Sequence, residues 1–504
     1  MNINENHSEL YTMGLKKKAV KGAGINVVAN FSGFIFQTIG VIVLARLLTP
    51  KDFGLVAMVT VFSVWFMSFG QSGFTEYIIQ KKNINNNEVN SIFWLHIFIA
   101  CFLAIGFTLF GFYLVHFYAE PALWGIAAAM STSFVLMALC TTHMAILIRE
   151  MKFSSTAIIG LLSTILSIVF SITGAIAGMS YWAIVVRQLT IPLVTVIGAW
   201  ILCKWRPGYP LKISNAFHGL KYAIQVYSNF SIGYLIRNID KVLLGKFHGS
   251  EVLGNYDRSF YLSIMPVSQL VTPLNTVAQA TLSRLRDDKE RFSNYYINAV
   301  RMISFLGTIA ALILTLSAQD IIYLVLGPEW KDAGAVVMAF GPGVSAMLIY
   351  STYSWLHLSL GTPDRWLKWN LFASIFTIAA FVVAAPYGAV AMAGAYSSTA
   401  YILVIPALWY GGRPIDLNVK KVIGSLWANF ASAVLVFIAW LIISKYWVSP
   451  RGLLGNLSLL MKVLIVSSIA LVLYLSLVII FQRNFQSIRE VISITRLFLG
   501  KRKV

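Results

Sequence analysis

The chain reads as an all-α polytopic membrane protein of about fourteen transmembrane helices, two six-helix lobes followed by two extra helices. Three features lead there. Of its 504 residues 58% are hydrophobic and only 12% charged, about half the charged share of roughly 25% usual in a soluble domain. Apolar stretches of about 20 residues, the length a helix needs to cross a bilayer, recur along almost the whole chain. The cations, finally, gather in short connectors on alternate sides.

Inside a bilayer the backbone must satisfy its own hydrogen bonds, so each apolar stretch is a helix. In chain order the spans fall at 20–48, 55–79, 89–117, 122–148, 155–177, 181–203 and 222–244, then 252–282, 295–316, 333–360, 369–385, 389–410, 422–443 and 457–481. The seventh and eighth contain Asn and charged residues, and they keep their place because losing either breaks the alternation of the connectors. One side holds Lys16 to Lys18, Lys81 and Lys82, Arg149 and Lys152, Lys204 to Lys221, Arg284 to Arg291, Arg365 and Lys368, Arg413 to Lys421, and a basic tail from Arg483. The other holds only Arg46, Lys51, Lys241, Lys246, Lys331, Lys445 and Arg451. The positive-inside rule then puts both termini in the cytoplasm, which requires an even number of spans. The polar first eighteen residues lead into an apolar run too long for a signal-peptide core, so the first helix is expected to stay in the membrane. Residues 483–504 mix Phe485, Ile488 and Leu497 with Arg489, Arg496 and Lys501, the composition of an interfacial amphipathic helix.

Much is excluded. The formal charge of +20 sits where a phospholipid surface, not nucleic acid, explains it. No connector is long enough for a soluble domain, and no P-loop, HExxH or GxSxG pattern occurs. No catalytic residues, no metal and no cofactor are therefore expected, and the chain is read as no enzyme. Cys101, Cys140 and Cys203 lie in or at the edge of apolar segments without CxxC spacing, as packing residues do.

An internal repeat orders the spans. Leu47 to Gly54, joining the first and second, is echoed by Lys246 to Tyr256, joining the seventh and eighth; Tyr181 to Val185 is echoed by Tyr387 to Ala391. Both offsets are about 200 residues, so the first twelve spans divide into two parallel six-helix units. The expected domains are 1–205, 206–415, a pair of helices in 416–482, and a cytoplasmic tail, 483–504.

The segments Ala45-Arg46-Leu47-Leu48-Thr49-Pro50 with Phe53-Gly54, Asp240 to Phe247 with Leu253-Gly254-Asn255-Tyr256, and Val325-Leu326-Gly327-Pro328-Glu329-Trp330 resemble Wzx-type polysaccharide flippases of the multidrug/oligosaccharidyl-lipid/polysaccharide superfamily. The resemblance covers nearly the whole chain. It implies alternating access by two lobes in a bacterial inner membrane, with undecaprenyl-pyrophosphate-linked oligosaccharide units as cargo for exopolysaccharide, capsule or O-antigen assembly. A polysaccharide polymerase and co-polymerase are the protein partners it implies.

Charges within the spans give a separate reading. A cation at the middle of a lipid-facing helix costs about 2.5–3.5 kcal/mol on insertion scales, so it needs water or a partner. Arg46, Arg187, Arg237, Lys241, Arg258 and Arg301 are the candidates for a cationic, pyrophosphate-binding cavity, since a guanidinium donates bidentate bonds to phosphate oxygens and stays protonated. Arg237 and Asp240, three apart on one helix face, are able to pair. The alternative is structural: these cations pair with Asp240, Asp257 and Glu76 or snorkel to headgroups. Glu76 and Asp240 are also the acidic candidates for coupling to a proton or sodium gradient. His96, His143 and His357 read as packing residues, and Tyr222, Tyr227, Tyr234, Tyr256, Tyr261, Tyr350, Tyr353 and Trp355 as an interfacial belt or as sugar-stacking rings. The rival functions are a lipid II flippase and a cation-coupled multidrug exporter; the second wants an acidic site, whereas the intramembrane balance here is basic.

Overall fold

A computed structural model describes residues 3–71, 73–81, 84–209, 217–447 and 457–482. The described residues fold into helices: α1 (Ile3–Leu47), α2 (Pro50–Gln71), α3 (Phe74–Gln80), α4 (Asn86–Tyr118), α5 (Ala122–Arg149), α6 (Phe153–Ile176), α7 (Trp182–Leu202) and α8 (Phe217–Arg284). There follow α9 (Lys289–Leu316), α10 (Ala318–Val325), α11 (Lys331–Ser351), α12 (Tyr353–Ser359), α13 (Pro363–Ala384), α14 (Ala389–Gly412), α15 (Val419–Trp447) and α16 (Leu459–Gln482).

Among the described residues twelve helical segments are long and apolar enough to cross a membrane. They coincide with every expected span except the seventh and eighth. Those two both lie in α8, where the described residues give no segment that meets the same standard, so the count of fourteen is not confirmed. Gly249 (φ 79°, ψ −174°) breaks α8 between the two halves. Along α4 the large side chains Phe98, Phe102, Ile105, Leu109 and Phe112 are exposed, while Phe93, His96, Phe107 and Leu114 are buried. A helix apolar on its outer face as well as its inner one suits lipid, not water. The chain is a multi-pass membrane protein.

Two compact units, Met1–Gly254 and Asn255–Val504, divide the chain. The division falls inside α8. The reason lies in the first half of α8, which is tied to earlier helices: Trp65 Nε1 of α2 donates to Ser231 Oγ at 2.9 Å, and Lys246 Nζ donates to Phe117 O of α4 at 2.5 Å.

In the first unit α4 packs on α5, α6 on α7 and on α1, and α5 on α2 and α7. Cys140 and Cys203 are buried and free, packed with Leu147, Ile159 and Ala199, as expected of packing residues. In the second, α11 packs on α9 and α14, and α13 on α14. The last pair of helices docks on α9 through Phe305, Leu312, Val436, Ala470, Tyr474 and Val478. The tail 483–504 lies outside the described residues.

Candidate functional site

The cations singled out from the sequence fall into two groups. Arg46, Arg187, Arg237 and Lys241 belong to the first unit, Arg258 and Arg301 to the second. Arg46 is exposed in the last turn of α1, and Arg187 is half-buried in the second turn of α7. Arg301 is half-buried on α9.

On α8, Asp240 is buried and its Oδ1 accepts the backbone N–H of Lys241 at 2.8 Å. Arg237 is exposed, its guanidinium folded back over Gly233, where an added Cβ would sit 3.6 Å from Nη2. Among the described residues no ion pair joins it to Asp240, so the pairing that their spacing allows is not made. Arg258 is the cation that pairs with a carboxylate. Its Nη2 and Nε both donate to Oδ2 of the neighbouring Asp257, the latter at 3.2 Å, and its guanidinium lies 5.3 Å from the Tyr261 ring centroid.

Glu76 is also engaged locally. It stands three residues into α3 and its Oε2 accepts the N–H of Gly73 at 2.6 Å, the reach-back of a capping box. The histidines pack against aromatic rings: His96 on Phe74 at 5.2 Å, His143 on Trp200 at 4.7 Å, and His357 beside Tyr353 and Tyr410, each ring 6.0 Å away. Several of the tyrosines are occupied with one another. Trp369 Nε1 donates to Tyr350 OH at 3.1 Å, Trp366 Nε1 donates to Tyr353 OH at 3.3 Å, and Tyr353 OH donates in turn to Asn370 Oδ1 at 2.5 Å. Tyr256 and Trp355 are core residues, fully buried.

One polar cluster was not singled out from the sequence. Asp52, buried at the start of α2, accepts the N–H of Thr49 at 2.9 Å and its hydroxyl at 2.7 Å, while the Asp52 N–H donates to Thr49 Oγ1 at 3.3 Å. Its other oxygen takes the hydroxyl of Ser180, from the turn before α7. The signal was present as Thr49-Pro50-Lys51-Asp52: an N-cap hydroxyl, proline at the first helical position, and a carboxylate three residues on. A second cluster lies at the far end of α2 and α3, where Lys81 Nζ donates to Glu88 at 2.5 Å and Arg149 Nη1 caps the Ile78 and Lys81 carbonyls at 2.5 and 2.7 Å. Among the described residues no group of three His, Cys, Asp or Glu side chains is placed to hold a metal ion.

The pattern of the polysaccharide biosynthesis protein family matches residues 43–335, more than half of the chain and the stretch that holds all six cations. An uncharacterized membrane protein in the cps region of Klebsiella pneumoniae is 24% identical over 63% of this chain and 66% of its own length. The lipopolysaccharide biosynthesis protein WzxC of Escherichia coli K12 is 21% identical over 78% of this chain and 79% of its own. Among solved structures, the lipid II flippase MurJ in an inward closed conformation superposes with a TM-score of 0.70 at 16% identity, covering 91% of this chain and 98% of that one. That is a likeness of fold. On the extent of the family match, the chain belongs to the polysaccharide biosynthesis protein family, built on the multi-pass helical fold that it shares with the lipid II flippase.

Proposed function

We propose that the protein carries an undecaprenyl-pyrophosphate-linked oligosaccharide from the cytoplasmic to the outer leaflet of a bacterial inner membrane, by alternating access, with both termini in the cytoplasm. The glycan and pyrophosphate enter a hydrated cationic chamber while the polyprenyl tail stays in lipid. Arg187, Arg237 and Lys241 receive the pyrophosphate, with Arg46, Arg258 and Arg301 contributing charge. The delivered unit passes to a polymerase and co-polymerase for surface-polysaccharide assembly.

One observation carries the reading: Arg237 is an exposed guanidinium, unengaged by any carboxylate among the described residues, on the most polar helix of an otherwise apolar chain. A charge in that setting costs several kcal/mol unless water or an anion meets it. A pyrophosphate answers that cost and needs a planar, permanently charged donor. Glu76, whose carboxylate caps α3, and Asp240, which accepts the Lys241 N–H, are the two acids proposed for coupling to a proton or sodium gradient.

The test is complementation of a flippase-null strain. A hydrogen bond to a charged group contributes about 1.5–3 kcal/mol, so Arg237→Ala and Arg187→Ala are each expected to lower surface polysaccharide by about tenfold or more at equal expression. Arg237→Lys, which keeps the charge and loses the fork, is expected to retain part of it. Undiminished export by both alanine variants would defeat the assignment.

A further inference from the structure

Two antiparallel helices of the second unit meet at one end in a patch of cations that no carboxylate answers. α13 begins at Pro363, α14 ends at Gly412, and the two pack side by side. Arg365 stands in the first turn of α13 with Lys368 one turn on, and Arg413 follows the last residue of α14. Along this rim, residues 360–370 and 409–421, Arg365, Lys368, Arg413, Lys420 and Lys421 face only Asp364 and Asp416 as acids. Asp416 is taken by Lys289 at 2.8 Å, and Asp364, the second residue of α13, sits where the helix dipole favours a carboxylate. Among the described residues Arg365, Lys368 and Arg413 make no ion pair.

The two arginines are held in place with most of their donors unspent. Arg413 lies 5.1 Å from the Trp409 ring centroid and Arg365 lies 4.5 Å from that of Tyr410, so neighbouring rings of α14 fix both guanidinium groups by cation–π contact. Arg365 gives one hydrogen bond, from Nη2 to the Tyr410 carbonyl at 2.5 Å, and its Nε is buried without a partner. Arg413 gives none among the described residues. Arg206 of the first unit shows the contrast. It too lies over a ring, 5.6 Å from the Trp200 centroid, but it donates to the Cys203, Trp205 and Trp200 carbonyls at 2.6, 2.8 and 2.8 Å, as a helix cap does.

Beside the cations each helix turns apolar on its exposed face. Lys368 is followed at i+3, i+4 and i+7 by Leu371, Phe372 and Ile375, and Arg413 is preceded at i−4, i−8 and i−11 by Trp409, Ile405 and Ile402, all of them exposed. Two stripes with a cationic head and an apolar body match one component of a bilayer, an anionic headgroup over acyl chains. A soluble anion leaves the apolar body unmatched, and a zwitterionic headgroup brings a cation of its own to a site already basic. We infer that Arg365, Lys368 and Arg413 form a headgroup site for an anionic phospholipid of the surrounding membrane, its chains lying along Leu371 and Ile375 of α13 and Ile402 and Ile405 of α14. The planar guanidinium groups take the phosphate oxygens in forked pairs and Lys368 adds a point charge. Trp409 stands at headgroup level, where interfacial aromatic rings settle. The site is built within the second unit and is independent of the cargo.

The test titrates the full chain, purified in detergent, with phosphatidylglycerol and with phosphatidylcholine and reads the bound lipid by native mass spectrometry. A basic residue beside an anionic lipid contributes about fivefold in affinity, so phosphatidylglycerol is expected to bind about tenfold or more tightly than phosphatidylcholine. Arg365→Gln with Arg413→Gln is expected to lower phosphatidylglycerol affinity about twentyfold and to leave that for phosphatidylcholine unchanged. Lys51→Gln with Lys331→Gln, which removes the same charge from two exposed positions on the sparsely basic side, is expected to keep it. If the first pair unfolds early without lipid, Lys368→Gln with Arg413→Gln, which breaks no hydrogen bond to the protein, takes its place with the same loss expected. Equal losses in the rim pair and the opposite pair, equal affinity for the two lipids, or competition by glycerol phosphate as strong as by intact lipid would overturn the site. So would one-for-one displacement of phosphatidylglycerol by a polyprenyl pyrophosphate, which would make the rim a station of the cargo.

Discussion

Arg237 and Arg258 place the same guanidinium on the same long helix, and their surroundings separate what each should do. Arg258 donates twice to the buried Asp257, so Arg258→Ala removes hydrogen bonds from a carboxylate that burial has already stripped of water. It is expected to destabilise the protein by about 1.5–3 kcal/mol, the range for hydrogen bonds to a charged group, read as a lower unfolding midpoint in detergent. Exposed Arg237 has no such partner. Arg237→Ala should leave the midpoint within about 0.5 kcal/mol, as for ordinary surface positions, while export falls. A half-buried carboxylate supplies a pH signature. Asp320, on α10 outside the membrane spans, has its pKa raised by burial, an effect that Lys462 opposes. Its folded pKa lies above the unfolded value, so the folded state binds the proton more tightly. Stability is therefore gained as pH falls through the raised folded value and lost as pH rises through it. Unfolding midpoints measured from pH 7 down to pH 4 should rise relative to those of Asp320→Asn, which lacks the titration, and Lys462→Ala should move the change to higher pH.

Proline inside a helix removes one backbone donor and opens the turn before it, and Gly341-Pro342-Gly343 in α11 reads from sequence as a hinge or a fixed kink alike. The neighbouring helices decide for the kink. Ser397 of α14 donates to the Ala339 carbonyl at 2.8 Å, and Tyr401 donates to the Pro342 carbonyl at 2.8 Å. Gly343 exists to admit Ser397: a Cβ there would sit 2.3 Å from its hydroxyl and 2.7 Å from its Cα. Ser397→Ala and Tyr401→Phe should each cost about 1 kcal/mol, the net worth of a hydrogen bond. Gly343→Ala should cost more, about 1–3 kcal/mol by overpacking, and a differential unfolding scan of the three variants checks the order. A true hinge would lose activity without losing stability. The element scale also shows where reading the sequence stopped short. Apolar length located twelve helices directly, because lipid imposes it residue by residue. α3 and α10 were not legible, since a helix of seven or eight residues leaves no span-length signal. Glu76 drew notice as an intramembrane acid, and its role in capping α3 depends on a break at Gly73 that only the fold reveals.

Across the whole molecule, the repeat was legible as letters because each of its two helix starts needs its own punctuation: Thr49 and Pro50 before α2, Gly249 within α8. That the two starts touch, with a Cβ added to Gly54 falling 1.7 Å from the Ser250 carbonyl oxygen, was not legible, since Gly54 and Gly254 are the only trace that backbone contact leaves in a sequence. The last two helices pose the opposite problem, for their contacts are visible and their worth is not. α15 and α16 bury Val436, Ala470, Tyr474 and Val478 against Phe305 and Leu312 of α9. In water, losing that surface would unfold the unit. In a bilayer, acyl chains are as apolar as the side chains they replace, and helix association rests on packing and on hydrogen bonds worth about 0.6 kcal/mol on average. Two of the bonds at stake are long, Asn429 Nδ2 to Ser304 Oγ at 3.3 Å and Tyr474 OH to the Phe305 carbonyl at 3.5 Å, and a third, Lys289 Nζ to Asp416 Oδ2 at 2.8 Å, is an exposed ion pair that contributes little; Leu417, Val422 and Leu426 add packing against Tyr296 and Trp355. The Phe305 carbonyl also sits in a helix, where the backbone already supplies a donor. A chain ending at Ile415 is therefore expected to insert and fold, with an unfolding midpoint only a few degrees lower and a monodisperse elution profile in detergent, a shift of about 1–2 kcal/mol on this count of bonds. Aggregation of that truncated chain, with full stability retained by Asn429→Ala and Tyr474→Phe in the intact protein, would show that close packing along α9 outweighs both hydrogen bonds.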